Sequence, residues 1–185
     1  TKEYQKGNFF SLRNLEDSKR IRKKISEIET ITIIGAGFIG LEIATTALQL
    51  NKDVTIIENS ENVMGRSISK DLSKWLINYY TKSGIKFIFN KSFKSFKSDE
   101  NSKINVILSD GTKINSEMVL ISAGSQPNDL LFKNIKTNEF NKIKVNSFLE
   151  TNIDDIYAIG DCCFFDYYSQ EVRLESIQNA TDQAK

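Results

Sequence analysis

Histidine is absent from this 185-residue chain, and proline occurs once, at Pro127. Without histidine the chain lacks the commonest general base and metal ligand. No metal site is therefore expected, and any chemistry must be carried by a cofactor. Cysteine is confined to Cys162 and Cys163. An adjacent pair closes only a strained ring, so two free, partly buried thiols and a cytoplasmic location are expected. No apolar run approaches a membrane span, and the opening residues, which do not begin with Met, read as a connector rather than a signal peptide. Charge of one sign is missing too. Lys and Arg number 25 against 24 Asp and Glu, a net charge of +1 that argues against general affinity for nucleic acid or membrane.

Glycine is also sparse, at nine residues, and only one trio has a spacing that carries chemistry. Ile31-Thr-Ile-Ile34 is a β-branched apolar run of the kind a buried parallel strand requires. Gly35, Gly37 and Gly40 follow directly as Gly-x-Gly-x-x-Gly, opening an apolar helical pattern from Phe38 to Leu50. Gly35 permits a tight turn, Gly37 lets a pyrophosphate reach the backbone, and Gly40 lets helix and strand pack closely. The helix start presents N–H groups and a positive dipole end to the phosphates, so Ala36, Phe38 and Ile39 belong to the same cradle. Asp53–Glu58 reads as a second strand, and the Glu58 carboxylate at its end can accept hydrogen bonds from adenosine ribose hydroxyls. Asn59 to Asn62 supply no Lys or Arg for a 2′-phosphate, so NADH is preferred over NADPH.

The remaining pattern is a parallel α/β architecture with one interruption. Asn14–Ile28 reads as an amphipathic helix whose cluster Lys19, Arg20, Arg22, Lys23 and Lys24 is taken as a solvated face rather than a dock for an acidic partner. Ile68–Ser83 reads as a helix stopped by Gly84, with Ile68, Leu72, Trp75, Leu76 and Tyr79 on its core face; Trp75 is assigned to the core, not to cofactor stacking. Ile85–Phe89 follows as a strand. Short alternating runs at Ser92–Lys97, Lys103–Leu108 and Thr112–Ile114, with Asp110-Gly111 as a turn, form an antiparallel meander. Met118–Ser122 returns to the sheet. Beyond Gly124, Lys142–Val145 and Ile156–Ile159 read as short strands, and Leu174–Lys185 begins a helix. The expected domains are 1–124 and 125–185.

Five phrases resemble the flavin-dependent pyridine nucleotide oxidoreductases. Ile33 to Glu42 resembles the opening of that superfamily's NAD(P)H domain, and Ala123-Gly124 with Gln126-Pro127-Asn128 its closing motif. Ile156-Tyr157-Ala158-Ile159-Gly160-Asp161 is similar to its second flavin motif. Arg173 to Ala184 narrows the likeness to the ferredoxin, rubredoxin and putidaredoxin reductase branch, as does Phe10 to Asp17.

The resemblance implies a Rossmann-like NAD-binding domain carrying an antiparallel meander, followed by a partial flavin-domain segment. The parent enzyme, about twice this length, would pass hydride from NADH to FAD and then electrons to a small iron–sulfur carrier. No second glycine trio is present for the first flavin segment, so the chain resembles an internal fragment that is itself inactive.

The resemblance also places Glu42 near the nicotinamide, Ala123 and Gly124 against the bound nucleotide, and Gly160 and Asp161 at the flavin. Read from the residues alone, Glu42 could be an exposed helical acid, Gly124 a strand-end glycine and Asp161 a cap. Sibling activities (NADH oxidase, nitrite reductase, disulfide reductase), a non-catalytic NAD(H)-binding module, and S-adenosylmethionine or flavin at the same glycines remain alternatives.

Overall fold

The computed structural model describes residues 8–65, 67–98, 103–124, 134–137 and 142–185. Two compact units are present, Thr1–Gly124 and Ser125–Lys185.

The first unit is built on a five-stranded sheet: β1 (Phe9–Phe10), β2 (Thr30–Ile34), β3 (Asp53–Ile57), β4 (Lys86–Ile88) and, from later in the chain, Met118–Ile121. All of its pairings are parallel. Alternation along the strands decides what covers each face. Ile31, Ile33, Val54, Ile56, Met118 and Leu120 meet Ile21, Ile25 and Ile28 of the helical α1 (Leu15–Ser26) region and Leu41, Ala44 and Ala47 of α2 (Phe38–Gln49). Leu76, Ile77 and Tyr80 of α3 (Lys70–Lys82) join the same cluster. The opposite face, with Phe9, Ile34, Ile57 and Val119, packs on Ile104, Val106 and Leu108. These belong to the meander β5 (Phe93–Ser98), β6 (Ile104–Leu108) and β7 (Lys113–Ser116), after which β8 (Met118–Ile121) rejoins the sheet beside β2 in the order β1-β8-β2-β3-β4. Helices therefore cover one face and antiparallel strands the other.

Local chemistry sets the ends of these elements. Asn14 Oδ1 accepts from the Asp17 N–H (2.9 Å) while the Asp17 carboxylate accepts from the Asn14 N–H (3.3 Å), a reciprocal capping box that starts α1. Ser69 caps α3 through the Leu72 N–H.

The expected core face of α3 is corrected. Trp75 is 59% exposed and Leu72 and Tyr79 lie near half exposure, whereas Ser73 is fully buried and Leu76, Ile77 and Tyr80 face inward. Apolar residues occur on both sides of this helix, so the period alone fixes no phase. The small Ser73 lets the helix approach the sheet, and Trp75 and Tyr79 instead stack on each other with centroids 5.5 Å apart.

In the second unit β9 (Ile143–Val145) pairs in parallel with β10 (Cys163–Tyr167), which forms a hairpin with β11 (Gln170–Val172). The strand expected at Ile156–Ile159 is not formed; Tyr157 makes a single bridge to Glu150, and a 3-10 turn follows at Gly160–Cys162. No turn signal in the sequence marks this hairpin, because its turn residues, Tyr168 (φ 47°) and Ser169 (φ 61°), take the left-handed conformation without an Asn-Gly pair. A short helix, α4 (Ile177–Gln183), closes the unit, capped by Ser176 through the Asn179 N–H.

Candidate functional site

The glycine trio forms a tight backbone knot between β2 and α2. Gly35 has φ +104°, outside the range that L side chains adopt readily, and a Cβ there would stand 2.9 Å from the Ser122 carbonyl oxygen. A Cβ on Gly40 would lie 2.1 Å from the Gly35 oxygen and 2.8 Å from Ser122 Oγ. The first turn of α2 thus presses on the loop that precedes it, and only glycine allows the contact.

Gly37 differs from both. A Cβ there would meet nothing within 4 Å, so its outer face is open. Gly37 is also the N-cap of α2 and offers no side chain to its N–H groups, whereas α1, α3 and α4 are each capped by a side chain. Donors left open at a helix start, beside space for a ligand, suit an anion such as a pyrophosphate.

Glu58 follows β3 and is half-buried. Its Oε2 accepts from the Ala36 N–H (2.9 Å), and its Oε1 accepts from the N–H and hydroxyl of Ser60 (both 3.0 Å). A carboxylate offers about four acceptor positions, so one remains for a ribose hydroxyl. The acid is thus also a brace for the glycine loop. The Gly35–Ala36 peptide is held at both ends, its N–H by Glu58 and its carbonyl by Ser122 Oγ (3.0 Å), while the Met64 N–H donates to the Ala36 carbonyl (2.9 Å).

Phe38 and Ile39 are 60% and 43% exposed and flank the opening; Ala36 is buried beneath it. Glu42, one turn into α2, is exposed, and so are Ala123 and Gly124, the latter with φ +78°. Gln126-Pro127-Asn128 lies outside the described residues. In the second unit Gly160 is buried against Ala180 of α4, and its N–H donates to Gln183 Oε1 (2.7 Å). Asp161 is exposed, and its carbonyl accepts from Arg173 Nε (2.8 Å). The structure therefore gathers Gly35 to Gly40 and Glu58 at one place, and Gly160 and Asp161 at another within the second unit. Ser60, Met64 and Ser122 went unnoticed in the sequence because each acts across a turn or a strand-to-strand distance that no local motif encodes.

Two acids elsewhere serve the fold. Glu117 Oε2 accepts from the Glu29 N–H (2.6 Å) and the Thr30 N–H (3.3 Å), which hold its carboxyl below the ordinary range, the Glu29 bond contributing most. Asp110 in the β6–β7 turn is likewise held low, first by Lys91 Nζ at 2.8 Å and then by the Thr112 N–H. Both cysteines are free. Burial, with Cys162 beside it, pushes the Cys163 thiol up to about 11. Among the described residues no helix is long and apolar enough to cross a membrane.

A glycine knot between parallel strands, an uncapped helix start and a strand-end acid define a Rossmann-like α/β unit. The sequence profile of the pyridine nucleotide-disulphide oxidoreductases matches residues 2–184, and the chain belongs to that family.

Relatives include the rubredoxin-NAD(+) reductase of Pseudomonas putida, 31% identical over 94% of this chain and 46% of its own length. The putidaredoxin reductase of the same species is 31% identical over 96% of this chain and 43% of its own. The solved ferredoxin reductase of Rhodopseudomonas palustris superposes with a TM-score of 0.89 at 31% identity, over 96% of this chain and 44% of that one. The chain thus spans less than half the length of these relatives.

Proposed function

We propose that the chain is the NAD(H)-binding part, with a piece of the flavin domain, of a reductase that uses NADH and FAD to reduce a small iron–sulfur protein. The observation that carries this reading is the pairing of an open Gly37 face, at an α2 start without a side-chain cap, with Glu58 one hydrogen bond away through Ala36. These residues fit a dinucleotide diphosphate and its adenosine ribose. Glu58 accepts a ribose hydroxyl at its remaining position, and the first N–H groups of α2 hold the pyrophosphate against Gly37. A 2′-phosphate would meet the Glu58 carboxylate with no Arg or Lys among residues 59–62, which favours NADH.

When bound, NADH would supply a hydride to FAD, from which two electrons would leave one at a time with release of the proton. The chain's own contribution is orientation, which turns an encounter into an intramolecular step. Glu42 is assigned to aligning the nicotinamide, Ala123 and Gly124 to a close approach to the bound nucleotide, and the exposed Asp161 carboxylate, beside Gly160, to the flavin polyol. The acceptor class rests on the rubredoxin and putidaredoxin reductases among the relatives. Residues 1–124 are taken as the NAD(H) domain and 125–185 as the flavin segment.

Calorimetric titration of the folded chain with NADH tests the reading. Saturable binding that Glu58→Ala abolishes is expected; heat flow indistinguishable from buffer would end it.

A further inference from the structure

We infer that Ser122 is a positioning residue for the dinucleotide site, acting on the pyrophosphate through the glycine loop and not by contact. The inference rests on the NAD(H) reading above and adds a residue that neither the motif nor the strand pattern assigns. Ser122 follows β8, on the strand order's other side of β2 from Glu58. Its N–H donates to the Ile34 carbonyl (2.9 Å), and its hydroxyl reaches the carbonyls of Ile34 and Gly35, both at 3.0 Å. One hydroxyl proton serves the two acceptors in turn or as a forked bond.

Three consequences follow for the loop. The Gly35 carbonyl is pinned toward β8, so the Gly35–Ala36 peptide cannot turn over while its N–H stays on Glu58. Ser122 Oγ also lies where a Gly40 Cβ would come within 2.8 Å, so the hydroxyl fills the gap between the start of α2 and β8. And the peptide bond that carries the loop's turn is fixed from two sides, by Ser122 and Glu58, while the Gly37 face beyond it stays open. A loop fixed in its binding form before the ligand arrives spares the ligand the entropy of ordering it.

Ser122→Ala keeps the Cβ and removes only the hydroxyl. Loss of one such bond is expected to weaken binding of NADH and of ADP-ribose together by about fivefold, while Ser122→Thr, which keeps a hydroxyl, returns affinity to within about twofold. Amide hydrogen exchange supplies a readout that a general loss of stability would not mimic. In Ser122→Ala the Ala36 N–H should exchange faster, with the β2 amide of Ile33 unchanged. If Ser122→Ala does not fold, Ser122→Cys, which keeps the volume but donates weakly, takes its place in the same comparison. Wild-type affinity in the Ala or Cys variant overturns the inference, as does exchange at Ile33 rising in step with Ala36. Absence of NADH binding in the wild-type chain is a separate result that removes the NAD(H) reading and this inference with it.

Discussion

Replacing Gly40 by alanine and, separately, Gly37 by alanine should divide stability from binding. At Gly40 the new methyl carbon would lie 2.1 Å from the Gly35 oxygen, more than 1 Å short of the 3.4 Å at which ordinary contact begins. Ser122 Oγ, hydrogen-bonded to that oxygen at 3.0 Å, would itself stand 2.8 Å from the methyl, so the clash falls on both partners of the bond that braces the loop. Helix α2 must therefore lift from the loop, straining the packing of Leu41 and Ala44 on the sheet. Overpacking of this kind costs about 1–3 kcal/mol or somewhat more, and alanine's better helix propensity returns at most about 1 kcal/mol. A net loss near 2 kcal/mol lowers the melting temperature of the N-terminal unit by roughly 4–8 °C.

At Gly37, with φ −83° and open space, alanine fits the backbone and touches nothing. Its effect on stability should stay within about 0.5 kcal/mol. The methyl occupies the face assigned to the pyrophosphate, and NADH affinity should fall by about tenfold or more. Circular dichroism melts and calorimetric titrations of both variants decide the matter. A Gly40→Ala protein that melts with the wild type, or a Gly37→Ala protein that binds NADH as tightly as the wild type, refutes the geometry argued for the site.

Three further outcomes are expected. The carboxyl of Glu117 is held low in the folded state, so its contribution is complete above the ordinary value of 4.5 and is lost as pH falls through the lower folded-state value. Glu117→Gln should cost roughly 1 kcal/mol at neutral pH and flatten the acid limb of a denaturant-midpoint profile, and an unchanged limb counts against the assignment. With its thiol near 11 and its side chain buried, Cys163 should resist alkylation at pH 8 until the chain is unfolded, read by mass spectrometry of the labelled peptides. Trp75 should emit like an exposed indole and be quenched freely by acrylamide, and Trp75→Ser should shift the melting temperature little; a blue, protected emission would restore it to the core.

How much of this could be read from the sequence depended on how local the cause was. The strand–glycine–helix–strand–acid run was legible because its residue types stand at fixed spacings within one short stretch, and the structure places Gly35, Gly37, Gly40 and Glu58 together. The meander was legible from alternation and from Asp110-Gly111, whose Oδ1 accepts the Thr112 N–H at 3.0 Å. The phase of α3 was not, since Leu72, Trp75, Leu76, Ile77, Tyr79 and Tyr80 spread over about half of the helix's circumference and only the sheet's position selects among them. The hairpin at Tyr168-Ser169 hid behind residues that seldom take a left-handed turn. Ser122 could not be found locally at all, because its acceptors lie 87 and 88 positions away in the chain.

The bare start of α2 has a bearing on how this protein could be engineered. Serine or aspartate at position 37 would supply the cap that Asn14, Ser69 and Ser176 give the other helices, a gain of a few tenths of a kcal/mol. The same side chain would sit where the coenzyme's diphosphate is assigned, and an aspartate would repel it. A screen that ranks variants by heat resistance alone would therefore favour chains that no longer hold the proposed coenzyme, so selection for durability here must be run with the nucleotide present.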